Sequence, residues 1–172
     1  RRRIVSESTF ANSPGYSTTG RPRAFDTIVF GGLAIGLGDF LFAVIFYGVI
    51  LGVMQIRIFQ SVASGLLGRA SFDGGIKTYI LGLFLHFVVA TCIATVYFLL
   101  SSRLPVLIQH AVVSGLFYGM LAYVVMNYVV IPLSRARSGT FSWRIFLPAF
   151  IAHAFLVGLP VALIARRSAK RS

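Results

Sequence analysis

Negative charge is scarce in this chain. Glu7, Asp26, Asp39 and Asp73 are its only acids, set against 16 lysines and arginines, and charged residues make up 12% of its 172 positions. A water-soluble domain carries roughly 25%, because its surface must stay hydrated, so a soluble globular fold is excluded. Cysteine is almost missing as well. Cys92 stands alone inside an apolar run, which rules out an intrachain disulfide. There is no Gly-rich phosphate loop, no nucleophile elbow, no paired-cysteine cluster and no His-Glu-x-x-His. With no soluble mass left to form a substrate pocket, neither an enzyme, a catalytic residue nor a metal site is expected. Arg1-Arg2-Arg3 runs into a polar stretch and not a short apolar one, so no signal peptide is expected. The missing initiator Met suggests a processed or trimmed start.

What is present is hydrocarbon. Hydrophobic residues reach 57% and the mean hydropathy is +0.85. Four apolar stretches, about residues 27–51, 76–100, 106–131 and 145–165, each approach the roughly 20 residues that cross about 30 Å of bilayer. The expected architecture is therefore all-α: a four-helix transmembrane bundle occupying residues 26–172, preceded by a polar, basic tail over residues 1–25. Ser101-Ser102-Arg103-Leu104-Pro105 is a tight connection, which makes spans two and three an antiparallel hairpin. Tyr47, Tyr97, Tyr128 and Trp143 fall near span ends, where amphipathic rings favour the headgroup zone.

The net charge of +12 fits membrane flanks better than nucleic acid, because the basic residues form no helix face or aromatic-interleaved patch. The tail, the 101–105 turn and the C-terminus carry ten basic residues. The two other connections carry six, namely Arg57, Arg69, Lys77, Arg135, Arg137 and Arg144. That bias places both termini in the cytoplasm.

Between spans one and two, from Gln55 to Ala70, Arg57, Gln60, Ser61, Ser64 and Gly68 recur at helical spacing, with Ile56, Phe59, Val62, Ala63, Leu66 and Leu67 opposite. This pattern predicts an amphipathic helix lying along the interface with Arg57, Gln60, Ser61 and Ser64 outward. A re-entrant segment is the competing form, since Gly65 and Gly68 permit close packing.

Ionisable groups inside hydrocarbon are functional candidates, because burying them is costly. Asp39, His86 and His153 fall at mid-depth. Asp39 shares a face with Gly32, Gly36 and Ala43, and His86 with Gly82 and Ala90; small residues mark protein-facing sides. Asp39 and His86 are thus expected to face each other. Such a pair can lock two helices together, relay protons or bind a cation. Haem would need two axial ligands, for which His86 and His153 are the only deep pair. No cofactor is predicted, with haem, pigment and bound lipid left open. Gly32/Gly36, Gly48/Gly52 and Gly115/Gly119 fit a small-xxx-small packing pattern. Tyr123 and Asn127 share a face of span three and could bond across helices, and Gln109-His110 reads as an interfacial pair.

Three segments also carry a resemblance: Arg57-Ile58-Phe59-Gln60-Ser61-Val62-Ala63-Ser64-Gly65-Leu66-Leu67-Gly68, Leu81-Gly82-Leu83-Phe84-Leu85-His86-Phe87, and Val125-Met126-Asn127-Tyr128-Val129-Val130-Ile131-Pro132. They resemble stretches of small, uncharacterised bacterial four-span membrane proteins over about residues 28–165. The resemblance implies the fold and a bacterial inner membrane, and it implies no activity. Together these features suggest a non-enzymatic accessory or scaffold subunit that packs against larger membrane-protein subunits and lipid. The alternatives are a small proton or ion conductor using Asp39 and His86, and a haem- or pigment-binding subunit.

Overall fold

The computed structural model describes residues 20–137, 139 and 141–171. Most of the polar tail, residues 1–19, lies outside them, as do the contacts expected of it. The described chain is all-α. Four of its helices are long and apolar enough to cross a membrane: α1 (Asp26–Ile50), α3 (Gly75–Arg103), α4 (Ala111–Leu133) and α5 (Trp143–Ala169). A shorter helix, α2 (Gln55–Leu67), joins α1 to α3.

The burial pattern suits a bilayer. On α1, Leu33, Leu37, Leu41 and Ile45 recur every fourth residue and are all exposed, while Gly31, Gly32, Ile35 and Gly36 are buried. Large side chains face lipid and small ones face protein, because packing rather than apolar burial holds membrane helices together. Gly32 abuts Thr91 and Gly36 abuts Phe87 on α3. Gly115 and Gly119 meet α5 at Gly158, Ala162 and the His153 carbonyl. The third expected small-residue pair behaves differently. Gly48 lies beside the Gln55 side chain, and Gly52 touches nothing and takes a positive φ of 68° in the turn leaving α1.

α1 packs on both α3 and α5, and α5 packs on α4. α3 and α4 meet at the end where their connecting turn lies: the Tyr118 hydroxyl donates to the Ile93 carbonyl (2.6 Å), and the Tyr97 and Tyr118 rings pack edge to face at 4.9 Å. At the termini end the interior is closely packed. Ile35, Ala94, Tyr97, Ile108, Val161 and Ala165 are among the residues closing it, each at 2% exposure or less. Tyr97 thus belongs to this core and not to a headgroup belt; its hydroxyl donates to the Leu107 carbonyl (3.3 Å). Tyr128 and Trp143, in contrast, are exposed.

The third span begins later than its apolar run suggests. One helical turn, Val106–Gln109, precedes a break at His110, where φ is −106° and ψ is 43°. The break strands the Leu107 carbonyl. Ser114 Oγ (2.9 Å) and the Tyr97 hydroxyl donate to it instead, as a buried backbone group requires.

Candidate functional site

α2 does not lie free along the surface. Phe59, Gln60, Ala63 and Ser64 are buried, and Gly82 of α3 lets the α2 backbone approach so closely that a Cβ there would strike the Phe59 carbonyl. The Phe59 ring stacks on Phe40 of α1 (5.2 Å) and meets His86 of α3 edge to face (5.9 Å). Gly82 is seven residues into α3, about 10 Å at the helical rise, so α2 dips into the bundle. The expectation that Arg57, Gln60, Ser61 and Ser64 all face outward is therefore corrected. Arg57 and Ser61 are exposed, while Gln60 and Ser64 point inward. Gln60 Nε2 donates to the Gly75 carbonyl (3.1 Å) and Thr78 Oγ1 (3.2 Å), leaving its Oε1 buried without a partner. Arg57 donates to the Phe72 carbonyl (2.9 Å) and lies over the Phe72 ring. A polar stripe on this helix thus caps the bundle from within.

Behind α2 lies a cavity of about 500 Å³ whose lining includes Asp39, Tyr47, His86, Tyr123, Asn127 and His153. All three deep ionisable residues converge on it. Asp39 Oδ2 is 3.9 Å from His86 Nδ1, and His86 Nε2 donates to the Gly36 carbonyl at 2.9 Å. His153 Nδ1 donates to the Ala149 carbonyl at 2.8 Å, and its ring packs against Tyr123 at 5.1 Å. Asn127 does not bond across helices; its Nδ2 donates to the Tyr123 carbonyl in its own helix (3.0 Å). Arg57, at the margin of the cavity on the α2 side, is exposed, and the packed core lies toward the termini side.

The tautomer of His86 is set by its neighbour. A carbonyl oxygen only accepts, so the Nε2 that faces Gly36 carries a hydrogen. In neutral imidazole the Nδ1 that faces Asp39 then presents a lone pair to a carboxylate oxygen. These two acceptors face each other at 3.9 Å.

Backbone register aims these side chains. Three π-helical segments border the cavity, and each supplies lining residues: Ala43–Ile50 gives Ala43 and Tyr47, Met126–Val130 gives Met126 and Asn127, and His153–Gly158 gives His153. An i→i+5 turn widens the helix and rotates the residues beyond it, and such bulges concentrate at functional sites. Two of these segments end two residues before a proline, Pro132 or Pro160. Proline donates no hydrogen bond and crowds the preceding carbonyls, so a widened turn ahead of it relieves the clash. Span prolines were the sequence signal for the bulges. Tyr47 is a lining residue that the sequence placed only at a span end.

His86 Nε2 is engaged by the Gly36 carbonyl, while its Nδ1, 3.9 Å from Asp39, keeps a lone pair. Among the described residues no group of three or more His, Cys, Asp or Glu side chains is placed to hold a metal ion. No protein-family model, curated protein or solved structure matches the chain, and none bears on its resemblance to bacterial four-span proteins.

Proposed function

We propose that this integral membrane protein takes up and releases a proton at the Asp39–His86 pair, through a cavity entered from the α2 side. The observation that carries the reading is the hydrogen bond from His86 Nε2 to Gly36, which turns an Nδ1 lone pair toward the carboxylate and leaves a vacancy for one proton. The cavity has room for on the order of ten waters at about 30 Å³ each, enough to bring protons to mid-depth. The packed core beyond it argues against a standing pore and for a carrier-like exchange in which that core must part. On the basic-residue count both termini are cytoplasmic, the resemblance implies a bacterial inner membrane, and the cavity opens to the side opposite the termini. An accessory role beside larger subunits rests on the polar tail, the helix between spans one and two and the small-residue faces, and the last two serve the packing of this bundle itself.

In proteoliposomes with an imposed pH gradient, wild-type protein is expected to dissipate the gradient faster than empty vesicles, and Asp39→Asn to lose that excess. Infrared difference spectra across a pH titration supply an independent readout, a carboxyl C=O band that disappears in Asp39→Asn. Equal flux in the two proteins, together with no Asp39-dependent band, would reject the reading.

A further inference from the structure

A second opening lies on the other side of α2. α3 and α4, tied together by Tyr97 and Tyr118 near their connecting turn, bound a groove of about 820 Å³ toward their other ends. Its inner walls are Leu85 and Val89 of α3 and Met126 and Val130 of α4, and its outer end carries Arg69, Arg135 and Arg137. Leu85 and Val89 are ten and fourteen residues into α3, about 15 and 21 Å from its start at the helical rise. One leaflet of hydrocarbon is roughly 15 Å deep. The groove is therefore as deep as an acyl chain of that leaflet is long, and apolar along that depth.

The backbone at Arg135 is tied to α2. The Arg135 N–H donates to the Gly65 carbonyl (2.9 Å), and the Ala136 N–H to Ser134 Oγ (3.1 Å), which straps the loop after α4 to the end of α2. Gly68, at a φ of 64°, turns the chain where a Cβ would come within 4 Å of Arg135, and Arg69 follows it on the lining of the same groove. None of the three guanidinium groups has a hydrogen bond or ion pair among the described residues, and the one acid in the adjoining connections, Asp73, pairs with none of them. Three unneutralised guanidinium forks above an apolar slot complement a phosphate head on a hydrocarbon tail.

We infer that this groove binds an anionic phospholipid of the leaflet on the α2 side, with one acyl chain between α3 and α4 and the phosphate on Arg69, Arg135 and Arg137. The groove adjoins the Asp39–His86 cavity, sharing Ser61, Val62 and Met126 with it, but contains neither Asp39 nor His86, and the inference holds whether or not that pair exchanges protons.

The test uses full-length protein reconstituted into bilayers of equimolar phosphatidylglycerol and phosphatidylcholine, then extracted gently and weighed by native mass spectrometry. Wild type is expected to retain phosphatidylglycerol in preference to phosphatidylcholine. An arginine near an anionic surface is worth about fivefold, so a variant combining R69Q, R135Q and R137Q should lose the preference by roughly tenfold or more while its helical circular dichroism is unchanged. Val89→Trp, which fills the slot and spares the arginines, should lower retention of both lipids. Unchanged preference in the triple variant overturns the inference. So does displacement of the retained lipid by soluble glycerol phosphate, which would assign the arginines to a free phosphate compound.

Discussion

Single residues decide whether α2 can stay docked. Gly82 is the clearest case, because its missing side chain is what admits the Phe59 backbone. Gly82→Leu is expected to cost about 1–3 kcal/mol through overpacking and to lower the detergent melting temperature, whereas Gly139→Ala, which meets nothing within 4 Å, should be silent. Equal melting of the two variants would contradict the docked position of α2. Asp39, His86 and His153 were legible because charge in an apolar run stands out in any reading. Their joint cavity was not, since π-helical turns reset the register on three helices and a uniform 3.6-residue period cannot anticipate that. Tyr97 shows the same limit. Its place near a span end suggested a headgroup ring, yet the break at His110 created a stranded carbonyl that drew its hydroxyl inward.

Among the elements, α2 separates what pattern reading reveals from what it misses. The helix and its two-sidedness could be read from residue spacing; which side faces the protein could not. In water the apolar side goes inward. Against a membrane bundle both sides have a suitable partner, and here the polar Gln60 turns inward beside Thr78 and the Gly75 carbonyl, while Ser64, also buried, bonds the Ser61 carbonyl of its own helix. A charge scan distinguishes the two orientations. Gln60→Lys buries an unpaired ammonium and should destabilise by about 3–5 kcal/mol, while Gln55→Lys, on an exposed position, should change stability by less than about 1 kcal/mol. If Gln60→Lys is tolerated as well as Gln55→Lys, α2 lies with its polar stripe toward water after all.

Across the whole molecule, hydropathy alone was enough to identify four membrane-length helices, and their spacing fixed the hairpin of α3 and α4. The gap between those two helices had no sequence signal, because it depends on which helices do not touch. Orientation can be tested directly. Cys92 is exposed on α3 within the apolar span, so it faces lipid and should stay silent to a membrane-impermeant maleimide. Introduced cysteines at Lys170 and Asp73 should then label from opposite sides, Asp73 from outside intact cells. Labelling of position 170 from outside would reverse the orientation and, with it, the side from which the cavity fills.

The division of the bundle into an open half and a packed half also has an electrical meaning. Water in the cavity would carry the potential of its own side down to Asp39 and His86, so the membrane voltage would fall mainly across the tight layer around Ile35, Ala94, Tyr97 and Val161. A proton reaching the pair from the cavity would then cross little of the field. One continuing to the termini side would cross most of it, at about 2.3 kcal/mol per 100 mV. Proton occupancy of the pair, followed through the Asp39 infrared band in vesicles, should therefore respond to pH on the cavity side and barely to voltage, whereas net flux should rise steeply with voltage. A strongly voltage-dependent occupancy would mean that the cavity is dry and that the insulating layer lies on the α2 side.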